Sequence, residues 1–293
     1  KYSMGKRLRF TLFGKSHGPH VGCVLEGVPK GLVVDIGAMD KEMALRRPKK
    51  GIGTPRREAD PIEIASGLED GVTDGTPMEI IIANADTDGS HYLQYRERPR
   101  PGHSDLPALA RDPDHDIRGG GQYSGRLTAP IVAAGSVAKQ LLLERGIAVS
   151  AFSRSIGGVV DNGDRGFDDA MGSRAYATRS CTESLHTDME KAILAASADG
   201  DSVGGVVECI TKGMPLGFGG TWFESLDSEV AAAVFSIPAC KGVEFGKGFA
   251  LAGMRGSESN DPFTWRNGRA VAASSNMGDR KSTRLNSSHI TIS

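Results

Sequence analysis

Two histidines in short glycine-containing loops are the first candidates for chemistry in this sequence. His17 lies in the segment GKSHG at 14–18, and His103 lies in PGHSD at 101–105, directly after Arg100. An imidazole titrates near neutral pH and can therefore give or take a proton there. Neighbouring glycines allow a ligand to approach such a side chain closely. The His17 motif alone favours an ordinary loop histidine and the His103 motif alone fits a structural role equally well, so only the pair indicates acid–base chemistry.

Basic residues are concentrated in a few places, although the net charge of the chain is only −1. The sequence has RRPKK at 46–50, two arginines at 56–57 and three more between 96 and 100. Guanidinium groups bind carboxylates and phosphates through paired hydrogen bonds. These clusters therefore indicate either a site for a small ligand with several anionic groups or a solvated surface. The near-neutral charge balance, with only Tyr92 and Tyr95 as nearby aromatic residues, disfavours a nucleic-acid interface.

A glycine run precedes the most strongly patterned helix of the chain. Arg118 is followed by three glycines at 119–121, and the predicted helix begins at Ser124 with Arg126 in its first turn. Consecutive glycines let backbone N–H groups face a ligand, and a helix N-terminus adds positive potential. The run therefore predicts a phosphate or carboxylate site, and the alternative is a flexible turn before a helix.

Hydrophobic periodicity predicts the elements that must position these motifs. Strands at 7–13 and 20–25 flank the His17 loop, and a helix capped by Asp35 runs through Leu45 to deliver Arg46. The polar stretch 84–118 predicts a long loop, and loops of this length are usually functional. The other predicted elements are strands at 62–66, 78–83, 147–160 and 203–211, and helices at 124–145, 185–196 and 226–235. Because strands and helices alternate unevenly, the pattern favours an α+β fold over a doubly wound sheet.

Composition narrows the class of protein. The chain has 293 residues, of which 39% are hydrophobic, enough for a substantial core. The four cysteines are scattered without zinc-ligand spacing, which predicts buried thiols in a reducing compartment and no metal site. No apolar run reaches the roughly 18 residues of a membrane helix. A strand-like pattern begins within the first ten residues, leaving no room for a signal peptide, so a cytoplasmic protein without membrane or nucleic-acid partners is expected.

The ordered set of motifs resembles chorismate synthase. G-x-S-H-G, R-R-P, R-P-G-H and R-G-G-G-x-x-S-G-R-x-T follow one another here, and GDSVGG at 200–205 and SIPACKGVE at 236–244 look like two more segments of that family. The resemblance covers 1–278. It implies a chorismate-synthase-type β-α-β sandwich with internal pseudo-symmetry, usually assembled as a homotetramer. It also implies the anti 1,4-elimination of phosphate from 5-enolpyruvylshikimate 3-phosphate, which gives chorismate at the last common step of the shikimate pathway.

The resemblance also implies a cofactor and roles for particular residues. The cofactor is reduced FMN, and the family is associated with NADP; the sequence leaves open whether the enzyme reduces its own flavin. His17 would keep the reduced flavin protonated, and His103 would assist phosphate departure. The implied substrate-binding residues are Arg46, Arg57, Arg100, Ser124 and Arg126. The implied flavin-lining residues are Gln122, Tyr123, Ser124, Pro238 and Ala239. The alternatives from other classes are a flavin- or anion-binding protein without lyase activity and an RNA-binding module.

The last fifteen residues, 279–293, differ in character from the rest of the chain. They are polar, lack an apolar period and resemble a translated sequencing adapter. We therefore expect one domain over 1–278, followed by a non-native, disordered tail. Family members continue past this point with further flavin-binding and acid–base segments. The resemblance thus predicts that the chain as it stands is inactive or nearly inactive.

Overall fold

The structure is a computed structural model, and it describes residues 2–47, 52, 59–85, 88–215, 217–266, 268–274, 276–277 and 285–292. The chain forms two compact units. The first comprises residues 1–48 and 54–141, and the second comprises residues 49–53 and 142–293. Within the described residues, no helix is both long enough and apolar enough to cross a membrane.

The first unit is built on a five-stranded antiparallel sheet with the strand order β1-β2-β3-β7-β4. A two-stranded ribbon of β5 and β6 accompanies it. The strands are β1 (Tyr2–Met4), β2 (Arg9–Gly14), β3 (His20–Glu26), β4 (Ile62–Ser66), β5 (Leu68–Glu69), β6 (Val72–Thr73) and β7 (Met78–Ala83). The helices are α1 (Ile36–Arg46), α2 (Asp105–Arg111) and α3 (Thr128–Leu143), with 3-10 segments at Ser90–Arg96, Arg118–Tyr123 and Gly125–Leu127.

The core of this unit joins the central strands to α1 and α3. Alternate side chains of β7, at Met78, Ile80 and Ile82, are fully buried, as expected for a sheet with one covered face. They belong to one apolar cluster with Met39 and Met43 of α1, residues of β3 and the small side chains of α3. The sheet is therefore a rigid base, and the connections at its ends carry the candidate motifs.

Most predicted elements of the first unit are confirmed within a few residues. Asp35 caps α1 as expected, since its carboxylate accepts a hydrogen bond from the Ala38 N–H at 3.0 Å. The stretch 84–118 was predicted as a loop, whereas its described part contains a 3-10 helix and α2. These elements lack a clear apolar stripe, because Leu93 and Leu106 are exposed. Periodicity therefore gives no signal for them.

The second unit contains a four-stranded antiparallel sheet with the order β13-β10-β8-β9. Its strands are β8 (Ala148–Ile156), β9 (Val159–Val160), β10 (Gly205–Lys212), β11 (Phe263–Arg266), β12 (Arg269–Ala272) and β13 (Leu285–Ile292), of which β11 and β12 form a separate hairpin. Its helices are α4 (Phe167–Gly172), α5 (Glu183–Ala198), α6 (Leu226–Phe235) and α7 (Gly256–Ser259). Phe152, Ala170 and Ile210 form its small buried core. The antiparallel sheets and separate helices confirm the α+β prediction.

Two predicted elements are divided in the structure. The strand expected at 147–160 breaks at Gly157 and Gly158, which both have positive φ, so the chain turns back from β8 into β9. The helix expected at 124–145 begins with a separate 3-10 turn before α3. Of the cysteines expected to be buried thiols, Cys23 and Cys240 are buried and the other two are half-buried.

The C-terminal segment contains the last strand of the chain. Leu285–Ile292 forms β13, antiparallel to the outer edge of β10. The physical reason is that a strand edge presents N–H and C=O groups that an extended segment of almost any sequence can satisfy. Both the non-native origin and the disorder expected for 279–293 stay predictions.

Candidate active site

The His17 loop lies at the ends of β2 and β3 and is held from two sides. The Ser16 backbone N–H donates to the Gly121 carbonyl at 3.1 Å. The Asn84 side-chain amide donates to the carbonyls of Lys15 at 3.1 Å and Gly18 at 2.8 Å. The His17 side chain is buried, and its Nδ1 has no hydrogen-bond partner among the described residues. The loop is thus fixed while one imidazole nitrogen stays available.

His103 lies in a cluster with Asp105 and Arg100. Nδ1 of His103 is 2.7 Å from Oδ1 of Asp105, and Arg100 donates from Nε to Oδ2 at 2.7 Å and from Nη2 to Oδ1 at 2.9 Å. Asp105 has no exposed surface. Burial would raise the pKa of Asp105, but the hydrogen bonds from Arg100 and the nearby charges outweigh it and lower the pKa to about 2. An ionised carboxylate therefore orients the His103 ring through Nδ1.

Two tyrosines connect this cluster to His17. The Arg100 guanidinium carbon lies 4.6 Å from the ring centroid of Tyr95 and 5.4 Å from that of Tyr92. The Tyr92 ring in turn packs edge-on against His17, with centroids 5.3 Å apart. Both tyrosines lie on the 3-10 helix Ser90–Arg96. The two histidines, 86 positions apart in the sequence, thus belong to one continuous set of contacts.

The glycine run lies against both imidazoles. A β-carbon built on Gly119 would lie 2.4 Å from Cε1 of His17, and one built on Gly120 would lie 3.1 Å from Cε1 and 3.6 Å from Nε2 of His103. Both glycines have positive φ, the region that favours glycine. Since consecutive Cα atoms are about 3.8 Å apart, the two imidazoles flank the same short stretch of backbone. The geometry therefore brings His17 and His103 together.

A second polar network contains two of the predicted substrate-binding arginines. Asp60, which is buried, accepts from Arg126 Nη1 at 2.5 Å and from Arg46 Nη1 at 2.8 Å. Arg126 is itself buried and donates from Nε to the Asn84 side-chain oxygen at 2.8 Å. Removing one partner of a buried ion pair typically costs about 3–5 kcal/mol. The network therefore ties both arginines to the amide that holds the His17 loop.

The remaining predicted residues of the first unit follow the glycine run directly. Ser124 accepts a hydrogen bond from the Arg126 N–H at 3.2 Å and so caps the turn before α3. Gln122 is half-buried, and Tyr123 is 36% exposed, which leaves part of its ring accessible to a ligand. All three residues follow the glycine run within three positions of sequence.

The remaining predicted positions lie outside the described residues or in the second unit. Arg57 lies outside the described residues. Pro238 and Ala239 belong to the second unit, where they follow α6 and are exposed. Ala239 has a φ of 67°, a conformation that costs energy for a residue with a β-carbon. Such strain is often associated with binding sites. The flavin-lining role of this turn stays a prediction.

Sequence reasoning missed three residues of the site, namely Asp60, Asn84 and Asp105. Asp105 could have been found, because an aspartate two positions after a loop histidine is a natural partner for its ring. Asp60 and Asn84 contact Arg126 across 66 and 42 positions of sequence, and no local pattern encodes such a pairing. Among the described residues, no group of three or more His, Cys, Asp or Glu side chains could hold a metal ion.

Comparison with known proteins gives one consistent family. The family model for chorismate synthase matches residues 8–286. The chorismate synthases of Thermococcus gammatolerans and Thermococcus kodakarensis are 45% and 43% identical over 276 and 277 residues, which is 94% of this chain and 76% of each relative. That of Archaeoglobus fulgidus is 43% identical over 279 residues.

A solved structure agrees with the sequence matches. A crystal structure of chorismate synthase matches 98% of this chain and 84% of its own chain with a TM-score of 0.79 at 27% sequence identity. The fold expected from the resemblance is therefore confirmed at the level of the family. The chain belongs to the chorismate synthase family, a family of lyases of the shikimate pathway that serve the biosynthesis of aromatic amino acids.

Proposed function

We propose that the cluster around the glycine run is the active site of a chorismate-forming lyase acting on 5-enolpyruvylshikimate 3-phosphate. In this 1,4-elimination the C–O bond to phosphate breaks, a ring C–H proton is removed and a new C=C bond forms, so that phosphate and chorismate leave without net oxidation. The observation that carries the proposal is the convergence of His17 and His103 on Gly119 and Gly120. A protein that only binds an anion would not need two imidazoles at one point of backbone.

His103 is the proposed general acid for phosphate departure. Asp105 occupies its Nδ1, so Nε2, on the edge that faces Gly120, is the nitrogen that can donate to a leaving oxygen. Arg100 lies beside it with 26% of its side chain exposed. The Arg100 guanidinium, whose Nη2 lies 3.3 Å from Nδ1 of His103, would stabilise the negative charge that develops on the departing phosphate.

The residues present fit the flavin that the family requires. The unpartnered, buried Nδ1 of His17 can donate to or accept from a polar edge of the cofactor, and the missing β-carbons of the glycines let the imidazoles lie close to one stretch of backbone. Gln122, Tyr123 and Ser124 would hold reduced FMN here, and the flavin-lining role that the resemblance implies for Pro238 and Ala239 of the second unit stays a prediction. When bound, the reduced flavin would supply electron density to the elimination. His17 is proposed to hold a proton at Nδ1 toward it.

The proposed substrate clamp consists of Arg46, Arg57, Arg100, Ser124 and Arg126. Arg46 and Arg100 keep 20% and 26% of their side chains exposed, which supports direct contact with carboxylate or phosphate oxygens. Arg126 has only 2% exposed and is paired with Asp60. Arg126 therefore fixes Arg46 through Asp60 and the His17 loop through Asn84, and little of its own surface is left for the ligand.

The test is a single-turnover elimination assay with excess protein, labelled substrate and photoreduced FMN, measuring phosphate release and chorismate formation. Single turnover suits a chain for which the sequence predicts slow catalysis. His17→Ala and His103→Ala should each lower the rate by about 10²–10⁴-fold, the usual contribution of a general acid or base. The control is His186→Ala in the second unit, which should keep the rate of the unsubstituted chain. Phosphate release that is unaffected by both substitutions would refute the proposed roles.

The full-length protein is proposed to assemble as a homotetramer in the cytoplasm. Large aromatic side chains of the second unit are exposed, with Trp222 at 85%, Phe223 at 90%, Phe249 at 80% and Trp265 at 76%. Exposed aromatic residues are typical of surfaces that another protein covers. Light scattering that gives the molar mass of four chains would support this assembly, and a monomeric mass would contradict it.

A further inference from the structure

A third histidine lies at the glycine run and has no role in the reaction described above. His115 is buried, with 3% of its surface exposed, and its Nε2 has no hydrogen-bond partner among the residues that the structure describes. Buried polar atoms in proteins almost always have a partner, so such an atom requires an explanation. A ligand that approaches the glycine run would supply the missing partner.

The backbone around His115 is fixed in place. The Arg96 guanidinium donates from Nη1 to the Pro113 carbonyl at 2.6 Å and from Nη2 to the His115 carbonyl at 3.0 Å. The His115 N–H closes a turn by donating to the Asp112 carbonyl at 3.0 Å. The backbone of this segment is therefore held at the carbonyls of Pro113 and His115. A loose loop does not explain the unpartnered nitrogen.

The three glycines each face one histidine. A β-carbon on Gly121 would lie 2.9 Å from Cε1 of His115, next to the equivalent positions on Gly119 and Gly120 that face His17 and His103. Three imidazoles thus surround three consecutive residues. Two of the three, His17 and His115, carry a buried nitrogen without a described partner.

The neighbours of His115 indicate which ligand it contacts. Its ring lies 5.6 Å from that of Tyr123, which is proposed above to line the flavin. Aspartates occupy positions 112, 114 and 116 of the same segment. Hydrogen bonds from Arg118 lower the pKa of Asp116 to about 2, so this carboxylate is ionised. Since Arg118 donates to Asp116 at 2.9 and 2.8 Å, this guanidinium is already paired with a carboxylate, and the uncharged ring system of a flavin suits the place better than a trianionic substrate.

We propose that His115 is a flavin-binding residue whose Nε2 hydrogen-bonds to the cofactor next to Tyr123. The proposal rests on the proposed function, because it requires FMN at the glycine run. It assigns His115 to cofactor binding and leaves the proton transfers to His17 and His103.

The experiment measures the Kd of oxidised FMN for the full chain by flavin fluorescence, together with the thermal midpoint without FMN. His115→Phe keeps a ring against Tyr123 but removes the nitrogen, and His115→Gln keeps a polar group near the same place. The matched control is His20→Phe, which makes the same change on an exposed residue of β3. We expect about a tenfold higher Kd for His115→Phe, at most a threefold change for His115→Gln and no change for His20→Phe, a tenfold ratio being about 1.4 kcal/mol.

The thermal midpoint separates binding from folding. Because Nε2 is unpartnered in the free protein, His115→Phe should melt at the same temperature as the unsubstituted chain or higher. A lowered midpoint with an unchanged Kd would show that His115 is only structural and would overturn the proposal. Unchanged Kd values in both His115 variants would do the same while leaving the proposed function intact. If the unsubstituted chain itself binds no FMN, both the inference and the proposed cofactor site fail.

Discussion

At the scale of single residues, the site depends on carboxylates that hold cations and imidazoles in place. Asp105 fixes His103 and Arg100, and Asp60 fixes Arg46 and Arg126. Each carboxylate is buried and is satisfied by charged donors, the condition under which a buried charge is tolerated. The arginines are consequently oriented before any ligand binds, which lowers the entropic cost of binding.

Asp105 gives a prediction about acid stability. Its pKa of about 2 in the folded protein lies below the roughly 3.9 of an unfolded chain, so its ionised form stabilises the fold above about pH 4. This contribution, about 2 kcal/mol, is lost as the pH falls through about 2. Asp105→Asn should therefore lower the urea midpoint at pH 7 and differ progressively less from the unsubstituted chain between pH 4 and pH 2.

The control for this prediction is Asp114→Asn, which changes an exposed carboxylate nearby. That variant should have nearly the same urea midpoint as the unsubstituted chain at pH 7. A difference between Asp105→Asn and the unsubstituted chain that stays constant from pH 7 to pH 2 would show that the carboxylate charge does not stabilise this cluster.

The sequence predicted the reacting groups better than their supports. Residue type and glycine neighbours are enough to select His17 and His103, because both signals are local. The supports act over distance: Asn84 holds the His17 loop from 66 and 69 positions away. Asparagine in a polar stretch is common, and only the folded sheet shows what its amide contacts. His115 was missed because it lies among aspartates in a segment without periodicity.

At the scale of elements, the glycine run is the part where backbone geometry decides the site. Gly119 has a φ of 57°, and a β-carbon there would also lie 2.6 Å from Nδ1 of His17 and 2.7 Å from the Ser16 hydroxyl. The sequence predicted that this run faces a ligand. The structure adds that it also leaves room for the imidazoles themselves, which explains why side chains are absent from three consecutive positions.

Gly119→Ala should therefore destabilise the protein. The left-handed backbone alone costs an alanine about 1–2 kcal/mol, and the contact with His17 adds to this. The matched control is Gly135→Ala, in the middle of α3 with nothing within 4 Å of the new β-carbon. That substitution should stabilise by about 0.5–1 kcal/mol because alanine favours helix. Equal thermal midpoints for the two variants would contradict the described packing of the glycine run.

At the scale of the whole molecule, the sequence predicted the fold class and most elements, and the family comparisons agree. Strongly apolar elements such as β7 and α3 were located well, because burial on one face leaves a regular pattern. Short elements that carry the site, such as α2 and the 3-10 helix at Ser90–Arg96, were not, because their side chains serve the cluster more than the core. The strand β13 was missed because pairing at a sheet edge needs no apolar pattern.

The most direct measurement of the central claim is histidine NMR on the full chain. The sequence has seven histidines, so their imidazole signals can be assigned by single substitutions. Titration with 5-enolpyruvylshikimate 3-phosphate in the presence of oxidised FMN should shift the signals of His17 and His103 with one common midpoint, while those of His20 and His186 stay in place. Signals of His17 and His103 that respond with different midpoints, or a response of only one of them, would contradict the account of a single shared site.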